Sequence, residues 1–195
     1  PEDIGMLTDG RFGNAKLIET SYQKINQELM PALENNRIIV FPGFYGVDQK
    51  GRFTTFPRGG SDLTGAILAN ALNAKLYENW TDTDGIRRAD PRVVENPDII
   101  RRLTYREARE LAYSGAEILH PDTLTPLIAK GIPLNVRNTF NPNEEGTYIG
   151  PTKGENGHIV EGIAHKEGFA VIYIEKTGMN EEVGYLRKLT KILVI

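Results

Sequence analysis

The sequence contains no cysteine, and among its 195 residues there are only three histidines and one tryptophan. The absence of cysteine excludes disulfides, thiolate zinc sites and cysteine nucleophiles. His120, His158 and His165 lack the spacing of metal ligands, so we expect no metal site built on histidine. No apolar run approaches the roughly 18 residues of a membrane span. These absences favour a cytoplasmic location without membrane attachment.

The sequence also lacks a strong charge of either sign. Its 23 basic and 26 acidic residues give a net charge of −3. General binding to nucleic acid requires a basic face, so we do not expect it. With 39% hydrophobic and 25% charged residues, the composition is that of an ordinary globular domain, and the chain is long enough to bury a core.

Hydrophobic periodicity predicts helices that alternate with short apolar strands. Thr104 and Glu107 form a capping box at the start of one helix, and Gly115 stands where a left-handed cap would end it. Such alternation is typical of an α/β layered domain with a mostly parallel sheet. The predicted helices are 21–35, 63–72, 102–114, 123–130 and 181–192, and the predicted strands are 37–41, 52–56, 75–80, 133–137 and 169–174.

Composition changes once along the chain. Residues 138–157 are rich in Asn, Pro, Gly, Glu and Thr and form the best candidate for a domain boundary. We therefore predict a first domain over 1–150, a linker over 151–166 and a second unit over 167–195. The second unit is predicted to be unfinished, because one strand and one helix cannot close a core.

The first chemical motif is Arg58-Gly59-Gly60-Ser61-Asp62, directly before a predicted helix. Two glycines permit a tight turn and close approach to a ligand, and the free amides of the helix start attract phosphate or carboxylate. Arg58 can hold a carboxylate through two hydrogen bonds, and Asp62 can orient a lysine or a metal ion. The same pattern also fits an ordinary capped helix with Arg58 in solvent.

The second motif runs from Trp80 to Gly85 and is followed by Asp90-Pro91-Arg92. Ligands of open α/β sheets bind beyond the carboxyl ends of strands, where this loop begins. Thr81 and Asp82 can hydrogen-bond a nucleotide, and Arg92 can neutralise its phosphates. The alternative is a tight turn followed by a surface charge. A third motif, 115–121, contains His120, for which a structural role is favoured over a catalytic one.

Taken in order, these motifs resemble those of the aspartokinase family, and the likeness covers almost the whole chain. The resemblance implies a three-layer amino-acid kinase fold, of which residues 1–150 represent the later part. It also implies transfer of the γ-phosphoryl group of MgATP to the side-chain carboxylate of L-aspartate, giving 4-phospho-L-aspartate for lysine, threonine and methionine biosynthesis. An aspartate carboxylate is ionised at neutral pH, so the transfer depends on alignment and charge neutralisation. The matching stretches are 8–13, 41–46, 56–62, 80–86, 90–92, 115–121 and 146–147.

The resemblance assigns roles by position. Arg58, Gly59, Gly60 and Ser61 would bind the substrate aspartate, and Asp62 would be the catalytic residue that holds the phosphate-binding lysine. Some members carry tyrosine where Arg87 stands and lysine where Glu117 stands. The lysine-phenylalanine-glycine-glycine segment that supplies the family's phosphate-binding lysine does not occur in this chain, so we predict no kinase activity for the chain alone. The implied nucleotide contacts are Thr81, Asp82, Arg87, Arg92, Glu117 and Ile118.

Residues 167–195 resemble the start of an ACT regulatory domain. The resemblance implies feedback by an amino acid, lysine or threonine, and a homodimer or higher homo-oligomer formed through this region. The implied effector contacts are Met179, Glu182, Tyr185 and Leu186. A plain βα unit with Tyr185 and Leu186 in its core is an equally good interpretation of the residues.

Two other functions remain open. One is a different amino-acid kinase, acting on glutamate, carbamate or a nucleotide, although the order of the motifs disfavours it. The other is a non-catalytic amino-acid sensor that keeps a nucleotide-binding shell.

Overall fold

The computed structural model describes residues 3–116, 119–152, 159–168, 170–175, 177–178 and 183–193. The chain divides into two compact units, Pro1–His165 and Lys166–Ile195, which we describe separately. The predicted domain limits of 1–150, 151–166 and 167–195 remain predictions. Within the described residues, none of the helices combines the length and the apolar character needed to cross a bilayer.

The first unit alternates helices and short strands. The helices are α1 (Thr20–Glu34), α2 (Gly60–Ala71), α3 (Tyr105–Tyr113) and α4 (Leu124–Lys130), with a 3₁₀ turn at Pro121–Thr123. The strands are β1 (Tyr45–Val47), β2 (Phe53–Thr55), β3 (Tyr77–Thr81), β4 (Arg102–Thr104), β5 (Leu134–Asn138) and β6 (Thr147–Gly150).

Four of these strands form a sheet in the order β3-β5-β6-β4. Strands β3 and β5 run parallel, with Tyr77 opposite Leu134 and Thr81 opposite Asn138. Strands β4 and β6 are also parallel, and only the central pair β5 and β6 is antiparallel. The predicted α/β class with a mostly parallel, partial sheet is therefore confirmed.

Two groups of apolar side chains form the core. One group joins the sheet to helices α2, α3 and α4, and Leu103, Leu127, Leu134 and Ile149 are fully buried in it. The other group lies between α1, α2 and the N-terminal segment. It is centred on Met6, Ile25, Phe56 and Ile67.

Local signals predicted several elements well. Helix α3 begins with the predicted capping box, in which the Thr104 hydroxyl accepts from the Glu107 amide while the Glu107 carboxylate accepts from the Thr104 amide. Gly115 follows this helix with a φ of 113°, and Gly131 ends α4 with a φ of 65°. The predicted return at 52–56 is confirmed as β2, which pairs with β1 in an antiparallel hairpin.

The predicted buried strand at 37–41 is wrong. Ile38 and Val40 are 94% and 92% exposed, whereas Ile39 and Phe41 pack against the second core group. The backbone of residues 38–43 forms no hydrogen bond with other described residues. A strand requires a paired neighbour, which an apolar run cannot supply by itself.

The segment 138–157, interpreted as a boundary, contains part of the first unit, because β6 at Thr147–Gly150 lies at the centre of the sheet. Gly146 directly precedes this strand and has a φ of 78°. A Cβ at that position would lie 2.0 Å from the carbonyl oxygen of Val136. The glycine is therefore needed for the close approach of β5 and β6, and it does not indicate a loose linker.

The second unit contains helix α5 at Tyr185–Leu193, which lies within the predicted helix 181–192 except for its last residue. The strand predicted at 169–174 does not occur in the described residues 170–175. Phe169 and residues 179–182 lie outside the described part of the chain.

Candidate functional site

The turn before α2 is shaped by two glycines. Gly59 has a φ of 81° and caps the helix, which begins at Gly60. A Cβ on Gly59 would lie 2.6 Å from Cβ of His120. A Cβ on Gly60 would lie 2.9 Å from the ring of Phe44 and from Cβ of Phe56. Both positions therefore require glycine, for the backbone conformation at Gly59 and for space at both.

The groups of this turn that could bind a ligand are not engaged by other described residues. Arg58 and Ser61 are exposed, and Arg58 forms no hydrogen bond or ion pair with the described residues. In the part of the chain that the structure describes, no side chain caps α2, and the first bond of the helix to the turn is from the amide of Leu63 to the carbonyl of Gly59, at 3.0 Å. The earlier amides are thus free to receive an anion, which the positive end of the helix dipole favours.

Asp62 lies in the first turn of the same helix and is half-buried. Burial raises the pKa of its carboxyl group, while a hydrogen bond from Asn79 and the nearby His120 act in the opposite direction. The hydroxyl of Tyr77 also donates to the backbone carbonyl of Asp62 at 3.2 Å. Strand β3 supplies both Tyr77 and Asn79, so the backbone of Asp62 is tied to the sheet and its carboxylate lies beside β3.

His120 packs on this turn through its Cβ and ring, which face Gly59. Its Nδ1 accepts a hydrogen bond from the amide of Asp122 at 3.3 Å and thereby begins the 3₁₀ turn. These contacts agree with the structural role favoured for this residue.

The loops that leave β3 and β5 meet at the carboxyl ends of these parallel strands. The amide of Thr139 donates to the carbonyl of Thr81 at 2.8 Å. The carboxylate of Asp84 accepts from the side chains of Asn138 at 2.7 Å and Asn141 at 3.1 Å. These two hydrogen bonds are the main cause of the lowered pKa of Asp84. The Thr81 hydroxyl donates to Asp82 at 3.2 Å, and Asp82 is exposed.

A cavity of about 250 Å³ lies beside this loop. The hydroxyl of Thr83 is buried and has no hydrogen-bond partner among the described residues, so it can receive or donate a bond to a ligand. The cavity is lined by residues of three chain segments, namely 83–92, 111–116 and 163–165.

The arginines assigned to this cavity are already engaged by protein groups. Arg87 donates to the carbonyl of Pro97 at 3.4 Å. Arg92 binds the carboxylate of Asp90 through Nε at 3.0 Å and Nη2 at 2.7 Å. These hydrogen bonds lower the pKa of Asp90 to about 2. Nδ1 of His165 lies 3.5 Å from the same carboxylate.

The structure thus divides the predicted site residues into two groups. Arg58–Asp62 form one, and Thr81, Asp82, Arg87 and Arg92 lie along or beside the loop after β3. Glu117, Ile118, Met179 and Glu182 lie outside the described residues, as does the side chain of Leu186, while Tyr185 begins α5 and is half-buried.

Sequence reasoning missed three residues that the structure places in these groups. Asn79 binds Asp62 and stands two residues before Thr81, so the alternation of a strand could have pointed to it. Thr83 lies within the second motif, but only Thr81 and Asp82 of that motif were predicted to bind a nucleotide. His165 had no local signal, because it joins the cavity from a distance of more than seventy residues along the chain.

Comparison with known proteins identifies the family. A family model described as the amino acid kinase family matches residues 2–138. The chain belongs to the amino acid kinase family. The turn at Arg58–Asp62 and the loop after β3 both lie within the matched range, as does the sheet up to the end of β5.

Several relatives of this amino acid kinase family member are aspartokinases. Aspartokinase 3 of Bacillus subtilis is 44% identical over 193 residues, which are 99% of this chain and 42% of that protein. The structure of Clostridium acetobutylicum aspartate kinase aligns with a TM-score of 0.78 at 42% identity, over 98% of this chain and 43% of that one. Escherichia coli aspartokinase III in complex with aspartate and ADP aligns with a TM-score of 0.73 at 37% identity, over 78% of this chain and 34% of that one.

These comparisons confirm the aspartokinase resemblance that the ordered motifs gave. The chain spans less than half the length of each of these three relatives. Its place within the family is established, and the activity of the whole protein is taken up below.

Proposed function

We propose that the protein to which this chain belongs is an aspartate kinase that transfers the γ-phosphoryl group of ATP to the side-chain carboxylate of L-aspartate. The observation that carries the proposal is the turn before α2, where an exposed arginine without a partner among the described residues stands beside free helix amides. The named ligands of the E. coli relative, aspartate and ADP, support the same chemistry.

The aspartate end of the site is proposed to be Arg58–Ser61. The guanidinium group of Arg58 can hold one carboxylate of the substrate in a two-bond arrangement. The amides at the start of α2 and the Ser61 hydroxyl can bind the same anion. Since the acceptor carboxylate is already ionised at neutral pH, these residues need only hold it in line with the phosphate.

The nucleotide end is proposed to be the cavity beside the loop after β3. Thr81, Asp82 and the uncommitted hydroxyl of Thr83 offer hydrogen bonds, and Arg87 and Arg92 offer positive charge for phosphates. Glu117 and Ile118 remain predicted contacts.

Magnesium is proposed to enter with the nucleotide. Within the described ranges there is no cluster of three or more acidic or histidine side chains that could form a protein-built metal site. Mg²⁺ is commonly held by substrate phosphates together with one or two carboxylates, and the exposed Asp82 is suitably placed beside the loop to be one of them. The metal would neutralise phosphate charge during transfer.

Asp62 is proposed to be the catalytic carboxylate. It lies in the first turn of α2 and next to Asn79 of β3, at the junction of helix and strand. There it can orient the lysine that family members place on the transferred phosphate, a residue that this chain does not contain. The chain alone is accordingly expected to be inactive.

The second unit is proposed to be the start of an ACT-like regulatory module. Lysine or threonine is the proposed effector, and the module would pair subunits into a homo-oligomer. Helix α5, which begins at Tyr185, is the described element that supports this proposal.

The test is a hydroxylamine trap for aspartyl phosphate, applied to the complete polypeptide. Arg58→Ala removes the charged hydrogen bonds to the substrate, each worth about 1.5–3 kcal/mol, so the KM for aspartate should rise by about 10- to 100-fold. Arg109→Ala, which removes an exposed arginine on α3, is the matched control and should leave KM unchanged. Glutamate, carbamate and nucleoside monophosphates should give no product. Equal KM values for the two variants, or turnover without aspartate, would contradict the assignment.

A further inference from the structure

The loop at residues 90–92 holds an internal ion pair inside the nucleotide cavity. The carboxylate of Asp90 accepts from Nε of Arg92 through both oxygens at 3.0 Å, and Nη2 of Arg92 adds a bond of 2.7 Å to Oδ2. The backbone amide of Arg92 also donates to Oδ1 at 2.8 Å. The side chain of Asp90 is 13% exposed, whereas that of Arg92 is 72% exposed. The guanidinium group of Arg92 is therefore held by a carboxylate that is mostly buried, while the arginine side chain itself is largely exposed.

This arrangement opposes the role proposed for Arg92. A guanidinium group that already neutralises a carboxylate attracts phosphate less strongly than a free one, because the nearby negative charge reduces the electrostatic potential. A ligand phosphate must compete with Asp90 for the same donors. The pair with Asp90 thus reduces the share of the arginine's charge that is available to a nucleotide.

His165 is placed to alter the strength of this pair. Its Nδ1 lies 3.5 Å from Oδ2 of Asp90, the oxygen that also accepts from Arg92. The side chain is 39% exposed, so it can exchange protons with solvent. Protonation gives a histidine ring a positive charge. A charged His165 would be a second cation at Oδ2 and would repel the guanidinium group of Arg92.

Among the described residues that line this cavity, the remaining charged side chain is that of Arg87. Arg88, beside it, is directed to the carbonyl groups of Val160 and Glu161 at 2.8 Å and lies 3.8 Å from the Glu161 carboxylate. His165 is the one histidine among the described lining residues.

We propose that Asp90 and His165 are positioning residues for Arg92, and that a charged His165 loosens the arginine from Asp90 so that it can bind a nucleotide phosphate. The inference rests on the proposed function, since it takes the cavity to be the nucleotide site. Nucleotide affinity should then rise at mildly acidic pH relative to a protein that cannot charge this position.

Titration calorimetry with ADP, applied to the complete polypeptide between pH 8 and pH 5.5, tests the inference. His165→Gln keeps the size and polarity of the side chain but removes its charge. We expect the two proteins to bind ADP equally at pH 8, and the wild type to bind three- to tenfold more tightly at pH 5.5. The ratio of the two Kd values cancels the protonation of ADP itself, which affects both proteins alike.

Asp90→Asn distinguishes an effect of His165 on the position of Arg92 from a direct attraction between His165 and the phosphate. The change keeps the oxygen that accepts from the Arg92 amide but removes the charge that holds the guanidinium group. ADP affinity should therefore increase three- to tenfold at pH 8, and adding His165→Gln to this variant should no longer alter the pH profile. Asp98→Asn, an exposed carboxylate outside the cavity lining, is the control and should leave affinity unchanged.

The outcomes separate the inference from the proposed function. If the wild type binds no ADP at any pH, the proposed nucleotide site fails. If ADP binds but His165→Gln keeps the wild-type profile, or if the effect of His165 persists in the Asp90→Asn background, the positioning role is overturned while the nucleotide site stands. A thermal melt of each variant confirms that it is folded at both pH limits.

Discussion

Replacement of Gly59 by alanine is a stringent test of how the turn before α2 is built. The residue has a φ of 81°, which L-residues with a Cβ rarely adopt. The added Cβ would lie 2.6 Å from Cβ of His120 and 3.1 Å from Cγ. Because an ordinary contact between such atoms begins near 3.4 Å, the turn or the segment at His120 must move by almost 1 Å.

Both effects contribute to the expected loss of stability. The left-handed conformation costs alanine about 1–2 kcal/mol. Forcing an extra methyl group into a packed contact adds about 1–3 kcal/mol. The sum is about 2–5 kcal/mol. For a chain of this size each kcal/mol lowers Tm by about 2–4 °C, so Gly59→Ala should lower it by roughly 4–20 °C.

Gly51→Ala provides the matched control. Gly51 has a φ of 73°, but its added Cβ would have no neighbour within 4 Å. It should therefore show only the conformational cost of about 1–2 kcal/mol. Differential scanning calorimetry of both variants measures the difference, which isolates the contact with His120.

The expected effect on enzymatic activity follows from the same displacement of the turn before α2. A shift of almost 1 Å in the turn misplaces Arg58, and misplacement of that size can cost about 100-fold in rate. Because the nearest atom of His120 is its Cβ, His120→Ala should fail to restore either stability or activity to Gly59→Ala. Equal Tm values for the two glycine variants, or full rescue by His120→Ala, would refute the reasoning.

Two further predictions concern carboxylates. Asp62→Asn should reduce aspartyl phosphate formation by about 100- to 1000-fold without lowering Tm at pH 7. Burial raises the pKa of Asp62, so its charge weakens the fold as the pH rises, and a neutral amide removes that effect. The pKa of Asp90 is instead lowered from 3.8 to about 2, so its contribution to stability is complete above pH 3.8 and is lost as the pH falls through 2. Acid unfolding followed by circular dichroism should accordingly show a shallower decrease for Asp90→Asn over that window.

The sequence predicted those elements whose signals are local. The capping box at Thr104 and Glu107 and the cap at Gly115 each act within one turn of their own helix. Strand β2 was also predicted, within the strand expected at 52–56. In these cases the residues that determine the conformation lie next to one another along the chain.

The errors arose where a distant partner decides the outcome. The run at 37–41 alternates correctly, with Ile39 and Phe41 inward, but it lacks a hydrogen-bonded neighbour among the described residues. Strand β6 was hidden in a segment of turn-forming composition, because its place between β5 and β4 depends on pairing with residues far along the chain. Local composition carries no information about either circumstance.

The candidate site shows the same division. Arg58–Asp62 could be found as a motif because the glycines and the helix start are contiguous. The bond from Asn79 to Asp62 and the approach of His165 to Asp90 could not, since each joins segments that only the fold brings together. The predicted roles of the motif residues stay proposals, but their grouping around α2 and the loop after β3 is a property of the structure.

Strand β3 connects the two groups of candidate site residues. Side chains two residues apart on a strand point to the same face and are about 7 Å apart. Asn79 binds Asp62 in the turn proposed for aspartate, and Thr81, two residues later, begins the loop proposed for the nucleotide. A single rigid element thus fixes the distance between the two proposed subsites. Since phosphoryl transfer depends chiefly on alignment, a substitution that shifts the register of β3 against β5 should impair turnover more than the binding of either substrate.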